Sequence, residues 1–451
     1  MNVSLAQALR AQPSQTVAFV GAGGKTTAMF QLARGWPPPV IITATSHLGA
    51  WQTRLADQHL IMHTHDPLET IEAGLKGTIL ITGELDGDRT RPIDDSLLKR
   101  LHKLCGHHSI PLLIEADGSR GKPLKAWADH EPPIPPFVDL VVQVAGLAGL
   151  GQPLNGEHVH RAERFSKLSG LMLNEPVTPD SIVRLLMHPD GGLKNIPLSA
   201  RRVVLLNQAD TDGIQSAARG IAQALLPAYH AAIISSLSQE RIFAVYERIA
   251  GIILAAGGST RFGQPKQLLD WRGQSFVRVV AKTALEAGLD PVVVVTGAHA
   301  EQVGASVADL RVRLIQNQDW ASGQGSSIRV GVASLISTSQ SPTESQVPPG
   351  GVVFLLTDQP QVTPSILRAL VDKHAEGLCP IVAPMVMDQR ANPVLFDRVT
   401  FNDLLQISGD VGGRAVFHKH RVEYLPWHDD RLLLDVDTPE MYQRLISDNS
   451  L

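Results

Sequence analysis

Residues 252–269 read IILAAGGSTRFGQPKQLL, and the fold of the second half of the chain turns on them. The apolar start has the composition of a buried strand. Gly257 and Gly258 follow, and glycines let backbone N–H groups approach anionic oxygens closely. Arg261 and Lys266 come next, as cations for the same oxygens. In an open α/β sheet such a loop lies at the carboxyl end of the first strand, where ligands bind. Taken alone, the glycines also describe a tight β–α turn with surface charges.

The surroundings extend the α/β reading along the chain. In the first half, VAFVG, VIITAT, TILITG, PLLIEAD, VDLVVQV, RRVVLLN and AAIISS read as strands, and SLLKRLHKL and SIVRLLMH as amphipathic helices between them. The pattern then restarts. SQERIFAVYERI has helical character and runs into the strand AGIILAAGG. VVVVTG, VRLIQN, GVVFLLTD, IVAPMV and VEYLPW follow, again with helices between. Alternating β and α with buried strands predicts two mostly parallel-sheet α/β domains. We place them at 1–248 and 249–451. DHEPPIPPF predicts an extended loop, and STSQSPTESQVPPGG at 337–351 has loop composition.

Composition bounds the function. Forty Lys and Arg against 44 Asp and Glu leave a formal charge of −4 on 451 residues, without the basic excess of a dedicated nucleic-acid binder. Apolar residues at 43% and charged residues at 19% fit a globular chain. Two cysteines, Cys105 and Cys379, are too few for a disulfide framework and point to a reducing compartment. The opening MNVSLAQALRAQPSQ has no basic start followed by an apolar run. The longest apolar stretch, LVVQVAGLAGLG, falls short of the about 20 residues a membrane span needs. The expectation is a cytoplasmic protein that handles small molecules, with neither nucleic acid nor membrane as partner.

The string from Leu254, Ala255 and Ala256 through Gly257, Gly258, Ser259 and Arg261 to Lys266 resembles the LAAGxSxRxGxxK signature of the MobA-like nucleotidyltransferases. Within that family it is similar to the molybdenum cofactor cytidylyltransferases. GVVFLLTDQPQVTP, with Asp358, is similar to the family's metal strand. QRANPVLF, with Asn392 and Pro393, resembles its substrate segment, Ala391 standing where the family carries glycine. GDVGGRAVF, with Gly409, Asp410, Gly412, Gly413 and Arg414, is similar to its GDxGAR element. LLLDVDTPEMYQRL resembles its closing segment, and NQDWASGQGSSIRVG around Gly325 and Ser326 matches as well. The resemblance spans 250–445 and implies a Rossmann-like nucleotidyltransferase domain. It further implies Asp358 and Asp437 as ligands of Mg²⁺, with Lys266 and Arg261 holding a triphosphate. LAAG in place of LAGG implies CTP rather than GTP, since a methyl at Ala256 narrows the base pocket. The implied acceptor is molybdopterin carrying molybdenum. Two carboxylates from separate strand ends suit a hard divalent cation, and a reaction between two anions is catalysed by positioning and neutralisation.

Residues 17–27, VAFVGAGGKTT, form a second glycine loop. The standard GxxxxGK[ST] pattern would put glycine where Phe19 stands, so Gly21, Gly23, Gly24, Lys25, Thr26 and Thr27 make a shorter, P-loop-like version. Helix-terminal N–H groups would cradle phosphates, Lys25 would reach them and Thr26 would ligate Mg²⁺. Glu115 and Asp117 in PLLIEADGS suit a metal or water-positioning role. Asn207 and Asp210 in RVVLLNQAD resemble the guanine-reading NKxD element, with Gln208 in place of lysine, so ATP and GTP both stay open. GAGGKTT, EADGSRGKPLKAWADHEPPIP, HRAERFSKL and NQAD together resemble the YqeC-like accessory family of selenium-dependent molybdenum hydroxylases. That resemblance implies a hydroxylase client of the xanthine dehydrogenase kind. Arg120, Lys122, Lys125 and His160–Arg161 could meet an anion or face water. His63/His65, His158/His160 and His418/His420 lack a third ligand at clear spacing, and the cysteines read as packed apolar residues.

The sequence therefore points to CMP transfer from CTP to molybdopterin, with an N-terminal domain that binds a nucleotide and aids hydroxylase maturation. The alternatives are a nucleotidyltransferase acting on a sugar or polyol phosphate, and a nucleotide-switched chaperone that delivers cofactor without turnover.

Overall fold

The computed structural model describes residues 3–69, 71, 74–258, 262, 264–336 and 347–447. Ser259 and Arg261, and residues 337–346 of the loop segment, lie outside the described residues. The chain divides into two compact units, Met1–Tyr246 and Glu247–Leu451. Among the described residues no helix is long and apolar enough to cross a membrane.

The first unit is built on β1 (Thr16–Gly21), β2 (Val40–Ala44), β3 (Gln58–Ile61), β4 (Thr78–Thr82), β5 (Leu112–Glu115), β6 (Leu140–Gly146), β7 (Arg201–Asn207), β8 (Ala231–Ser236) and β9 (Arg241–Glu247). They form one sheet in the order β9-β8-β7-β6-β1-β5-β2-β4-β3. All pairings from β8 across to β3 are parallel. β1, β2, β4, β5 and β6 are buried throughout, as strands covered on both faces must be. The helices flanking this sheet include α1 (Lys25–Arg34) and α2 (Asp95–His108), and α2 is capped by the Asp94 carboxylate. The loop of residues 17–27 thus sits at the carboxyl end of a central strand, with Glu115 beside Phe19 in register.

One expectation is corrected. SQERIFAVYERI is not a helix: Leu237–Gln239 make a single 3₁₀ turn, Glu240 turns left-handed at φ +52°, and Arg241–Glu247 form β9. Ile242, Phe243, Val245 and Tyr246 are β-branched or aromatic and favour a pleated surface. The last four residues of β9 are all buried, whereas an amphipathic helix would have exposed part of that run.

The second unit carries β10 (Ile249–Ala255), β11 (Val292–Thr296), β12 (Arg313–Gln316), β13 (Gly351–Leu356), β14 (Ile381–Val386), β15 (Gln389–Arg390), β16 (Val394–Asp397) and β17 (Val422–Pro426). The order is β12-β11-β10-β13-β16-β14-β15, with β17 also on β14. The first four strands are parallel, and β16 runs antiparallel between β13 and β14. QRANPVLF therefore supplies a core strand as well as a loop. Two apolar clusters cover the sheet. A third, of Leu269, Trp271, Phe276, Val436 and Leu445, ties the closing segment to the residues just after the glycine loop.

Glycines make two loops meet in this unit. Gly323 has φ +109°, and a Cβ there would lie 2.5 Å from the carbonyl carbon of Gly409. The Gly325 N–H donates to the Gly409 carbonyl at 3.0 Å. Gly273 also has positive φ, +76°, but with open space around it. Gly273→Ala should cost about 1 kcal/mol for the left-handed backbone alone. Gly323→Ala should cost about 3 kcal/mol, because overpacking adds to the backbone term. Urea unfolding of the two variants checks this ordering.

Candidate functional site

In the second unit, Leu254, Ala256, Gly257, Gly258, Lys266, Asp358 and Asp410 line one cavity of about 610 Å³ together with Trp320 and Gln324. A neighbouring cavity of about 300 Å³ is lined by Asn392, Gly412, Gly413, Arg414, Asp435 and three phenylalanines, Phe354, Phe396 and Phe417. Leu254, Gln324 and Leu356 border both, so the two are halves of one cleft. Gln267, buried, donates to the carbonyls of Ala255 at 3.3 Å and Gly257 at 2.6 Å, which locks the glycine loop from below. Pro393 follows a cis peptide bond after Asn392. Gly409 contributes by packing on Gly323 and Gly325.

The closing segment is fastened to the TDQPQ strand end by hydrogen bonds. Val436 N–H donates to the Asp358 carbonyl at 3.0 Å. Gln359 donates to Asp435 Oδ1 at 2.6 Å, and Gln361 to the carbonyls of Arg431 and Leu434 at 3.0 and 2.6 Å. Asp437, exposed, accepts from Lys266 Nζ at 2.6 Å. Asp358, Asp435 and Asp437, some 80 residues apart in sequence at most, thus share one neighbourhood with Lys266.

Burial, then Asp435 and Asp437, push the Asp358 carboxyl up to about 6. Asp435 is raised too, first by burial, against the pull of Gln359. Among the described residues, Asp358 Oδ1 is buried with no hydrogen-bond partner. Among the described residues no three His, Cys, Asp or Glu side chains form a ready-made metal site. The orphaned oxygen and the clustered carboxylates nevertheless fit Mg²⁺: the donors are hard oxygens, and a bound triphosphate brings further oxygens to complete the shell. Asp435, Gln359 and Gln361 were not singled out from sequence. The acid-rich LLLDVDTP and the two glutamines of TDQPQ were the available signal.

In the first unit Gly21, Gly23 and Gly24 have φ of +97°, +86° and +126°, conformations that glycine alone adopts freely. A Cβ on Gly23 would stand 2.4 Å from Gly146 Cα. Lys25 Nζ donates to the Gly21 carbonyl at 2.8 Å and lies 3.4 Å from Asp117 and 3.8 Å from Glu115. Thr26 donates to Glu115 at 2.7 Å. Thr27 is exposed on α1, outside these bonds. Asp117, wholly buried, accepts from Gly21 N–H (3.1 Å), Lys125 (2.9 Å) and Trp127 Nε1 (2.8 Å). Asn207 donates to the Gly23 carbonyl at 2.7 Å, while Asp210 is exposed. Burial raises the Glu115 carboxyl, against the pull of Lys25 and Thr26.

Lys125 and Arg161, left open by the sequence between anion and water, instead face acids. Lys125 also pairs with Glu131 at 3.1 Å, and Arg161 grips Glu131 at 2.7 and 3.0 Å. Burial works against ionised Glu131, but Arg161 and Lys125 outweigh it and hold the carboxyl at about 2. A carboxyl depressed in the folded state stabilises above its unfolded value and stops doing so as pH falls through the folded one. Glu131→Gln should therefore cost about 3 kcal/mol at pH 7, since it removes the carboxylate partner of Arg161 and one of the two carboxylate partners of Lys125. The cost should shrink steadily from pH 5 to pH 3 in urea titrations of parent and variant.

Comparison with known proteins agrees with this division. The family described as "YqeC protein" matches residues 17–163, and the "MobA-like NTP transferase domain" matches 251–424. The chain is similar to "Uncharacterized protein YqeC" of Escherichia coli (strain K12), 35% identical over 213 residues, covering 44% of this chain and 78% of that protein. It is similar to "Nicotine blue oxidoreductase" of Paenarthrobacter nicotinovorans, 31% identical, covering 44% of this chain and 96% of that protein. It is also similar to "Purine catabolism protein PucB" of Bacillus subtilis (strain 168), 32% identical, covering 43% and 94%. The two glycine loops thus belong to two families joined in one polypeptide, and the chain is a member of both: a YqeC domain followed by a MobA-like NTP transferase domain.

Proposed function

We propose that the C-terminal domain transfers CMP from CTP to molybdenum-loaded molybdopterin, releasing pyrophosphate. The N-terminal domain binds ATP or GTP and aids delivery of the dinucleotide cofactor to a molybdenum hydroxylase. The observation that carries this reading is the divided cleft, with a glycine loop and Lys266 on one side, Asp358 at the centre and an aromatic cavity on the other.

Several features support the choice of substrates. Ala256 is buried and lines the larger cavity, and its methyl, where LAGG would carry glycine, takes up space that favours the smaller pyrimidine. In the smaller cavity Phe354 and Phe396 meet edge-on at 5.5 Å, and Phe417 lies 6.0 Å from Phe396. Such walls suit a flat heterocycle, and Arg414 beside them suits its phosphate arm.

In the reaction a phosphate oxygen of the acceptor forms a bond to the α-phosphorus of CTP, and the bond from that phosphorus to the β-phosphate oxygen breaks. The N–H groups of Gly257 and Gly258 would hold the triphosphate. Lys266 would exchange Asp437 for phosphate oxygens, following the departing pyrophosphate charge. Arg414 would offset the charge of the incoming phosphate. Mg²⁺ bound by Asp358 and Asp437 would supply neutralisation of the triphosphate and polarisation of the α-phosphate.

The test is pyrophosphate release from CTP, Mg²⁺ and molybdenum-loaded molybdopterin. Lys266→Ala and Asp358→Ala should each lower kcat/KM about 100-fold or more. Full turnover in either variant rejects the site. Turnover with sugar or polyol phosphates in place of molybdopterin would move the chain to the other transferase class. Redox turnover without pyrophosphate, the possibility that one relative's name raises, would reject transfer altogether.

A further inference from the structure

The N-terminal phosphate loop touches a turn that belongs to none of its motifs. Thr26, half-buried at the start of α1, donates its hydroxyl proton to Glu115 Oε2 at 2.7 Å. The same hydroxyl oxygen accepts from Gln52 Nε2 at 2.9 Å. Gln52 Oε1 in turn accepts from the Gly49 N–H at 2.8 Å. The Gln52 amide is thus engaged at both ends, one on the phosphate loop and the other on the residue that opens its own turn.

That turn moves as one piece. Ala50–Leu55 form a 3₁₀ helix, in which the Gln52 N–H donates to the Gly49 carbonyl at 2.9 Å and Thr53 Oγ1 to the Ala50 carbonyl at 2.8 Å. It is stitched to a short hairpin, Leu85–Asp86 paired with Arg89–Thr90. Ala50 N–H donates to the Asp88 carbonyl at 2.8 Å, and Thr90 N–H to the Leu48 carbonyl at 2.9 Å. Leu48 is buried beneath, whereas Trp51 is 64% exposed. Gln52 therefore links the loop to a turn whose next-door indole faces solvent.

We infer that Gln52 competes with a divalent cation for the Thr26 hydroxyl, and so sets how strongly the N-terminal site depends on that cation. This rests on the reading that the loop of Gly21–Thr27 holds nucleotide phosphates. The Thr26 hydroxyl and the Glu115 carboxylate are hard oxygens 2.7 Å apart, a donor pair that fits Mg²⁺. A hydroxyl has one proton and two lone pairs. Here Glu115 takes the proton and Gln52 takes a lone pair. A cation on that oxygen repels the positive amide hydrogens of Gln52, and neutral Gln52 brings no charge to offset the repulsion. The cation therefore enters by displacing the amide, and the Gly49–Leu55 turn is released from the loop as the magnesium nucleotide binds. Gln52 is a positioning residue: it acts through Thr26, favouring the cation-free loop over the loaded one.

The experiment is equilibrium dialysis of ATP and of GTP against the full chain, with Lys266→Ala in place to silence the second domain's cleft, in excess Mg²⁺ and again in chelator. Gln52→Ala should tighten binding of the magnesium nucleotide about fivefold, as one net hydrogen bond dictates, and leave binding in chelator unchanged. A substitution that merely loosened the loop would weaken both. Trp51 emission should shift when the magnesium nucleotide binds, and the shift should vanish in Trp51→Phe. Three results overturn the inference and leave the phosphate-loop reading standing: equal or weaker binding in Mg²⁺ by Gln52→Ala, the same gain in chelator, or nucleotide bound with the Trp51 signal unmoved. Failure of both nucleotides to bind in Mg²⁺ overturns that reading as well.

Discussion

The cleft of the second unit is organised around a hydrogen bond from Val436 N–H to the carbonyl of Asp358. It joins a strand end at the middle of the sheet to a segment near the end of the chain. Gln359 and Gln361 reinforce it by bonding to the same segment, and Val436 and Leu445 pack the segment against Phe276. Without this join, Asp358 would sit at its strand end apart from Asp435 and Asp437. With it, three carboxylates and Lys266 share one neighbourhood, and the Asp358 carboxyl is raised first by burial and then by Asp435 and Asp437. Burial and repulsion of this kind are tolerated because the remaining contacts over-determine the arrangement, as is usual where strain or repulsion is stored at a site.

Both glycine loops, most strands and the separation of the two α/β halves were legible in the sequence, because short apolar β-branched runs and glycine-then-lysine strings have few other uses. The partners of those loops were less legible. Asp437 could be named from motif resemblance, whereas Asp435 and the two glutamines could not, since their importance lies in pairings across 70 or more residues. SQERIFAVYERI misled because its spacing allowed either period, and only packing on β8 decides for a strand. Lys125 and Arg161 could be read either as meeting an anion or as facing water. Their acidic partner, Glu131, lies in a proline-rich loop that sequence composition marks only as extended.

The two sites handle charge in opposite ways. Around Lys25 the buried groups balance: Lys25, Lys125 and Arg161 stand against Glu115, Asp117 and Glu131. Such a network is satisfied within the chain, and its ions recover their desolvation only through one another. A phosphate entering that loop must therefore draw Lys25 away from Glu115 and Asp117, and it meets a site already closed on itself. Around Asp358 the groups do not balance. Three carboxylates face Lys266 and Arg414, and among the described residues buried oxygens of Asp358, Gln359 and Gln361 have no hydrogen-bond partner.

That difference in balance separates the chemistry each half can support. An unsatisfied acidic cluster attracts a divalent cation, and the cation in turn permits two anions to approach each other, which is the requirement of nucleotidyl transfer. A satisfied network holds its loop rigid and yields only to a ligand that replaces each contact it breaks. The excess of carboxylate around Asp358 is what sets the second domain apart from the first.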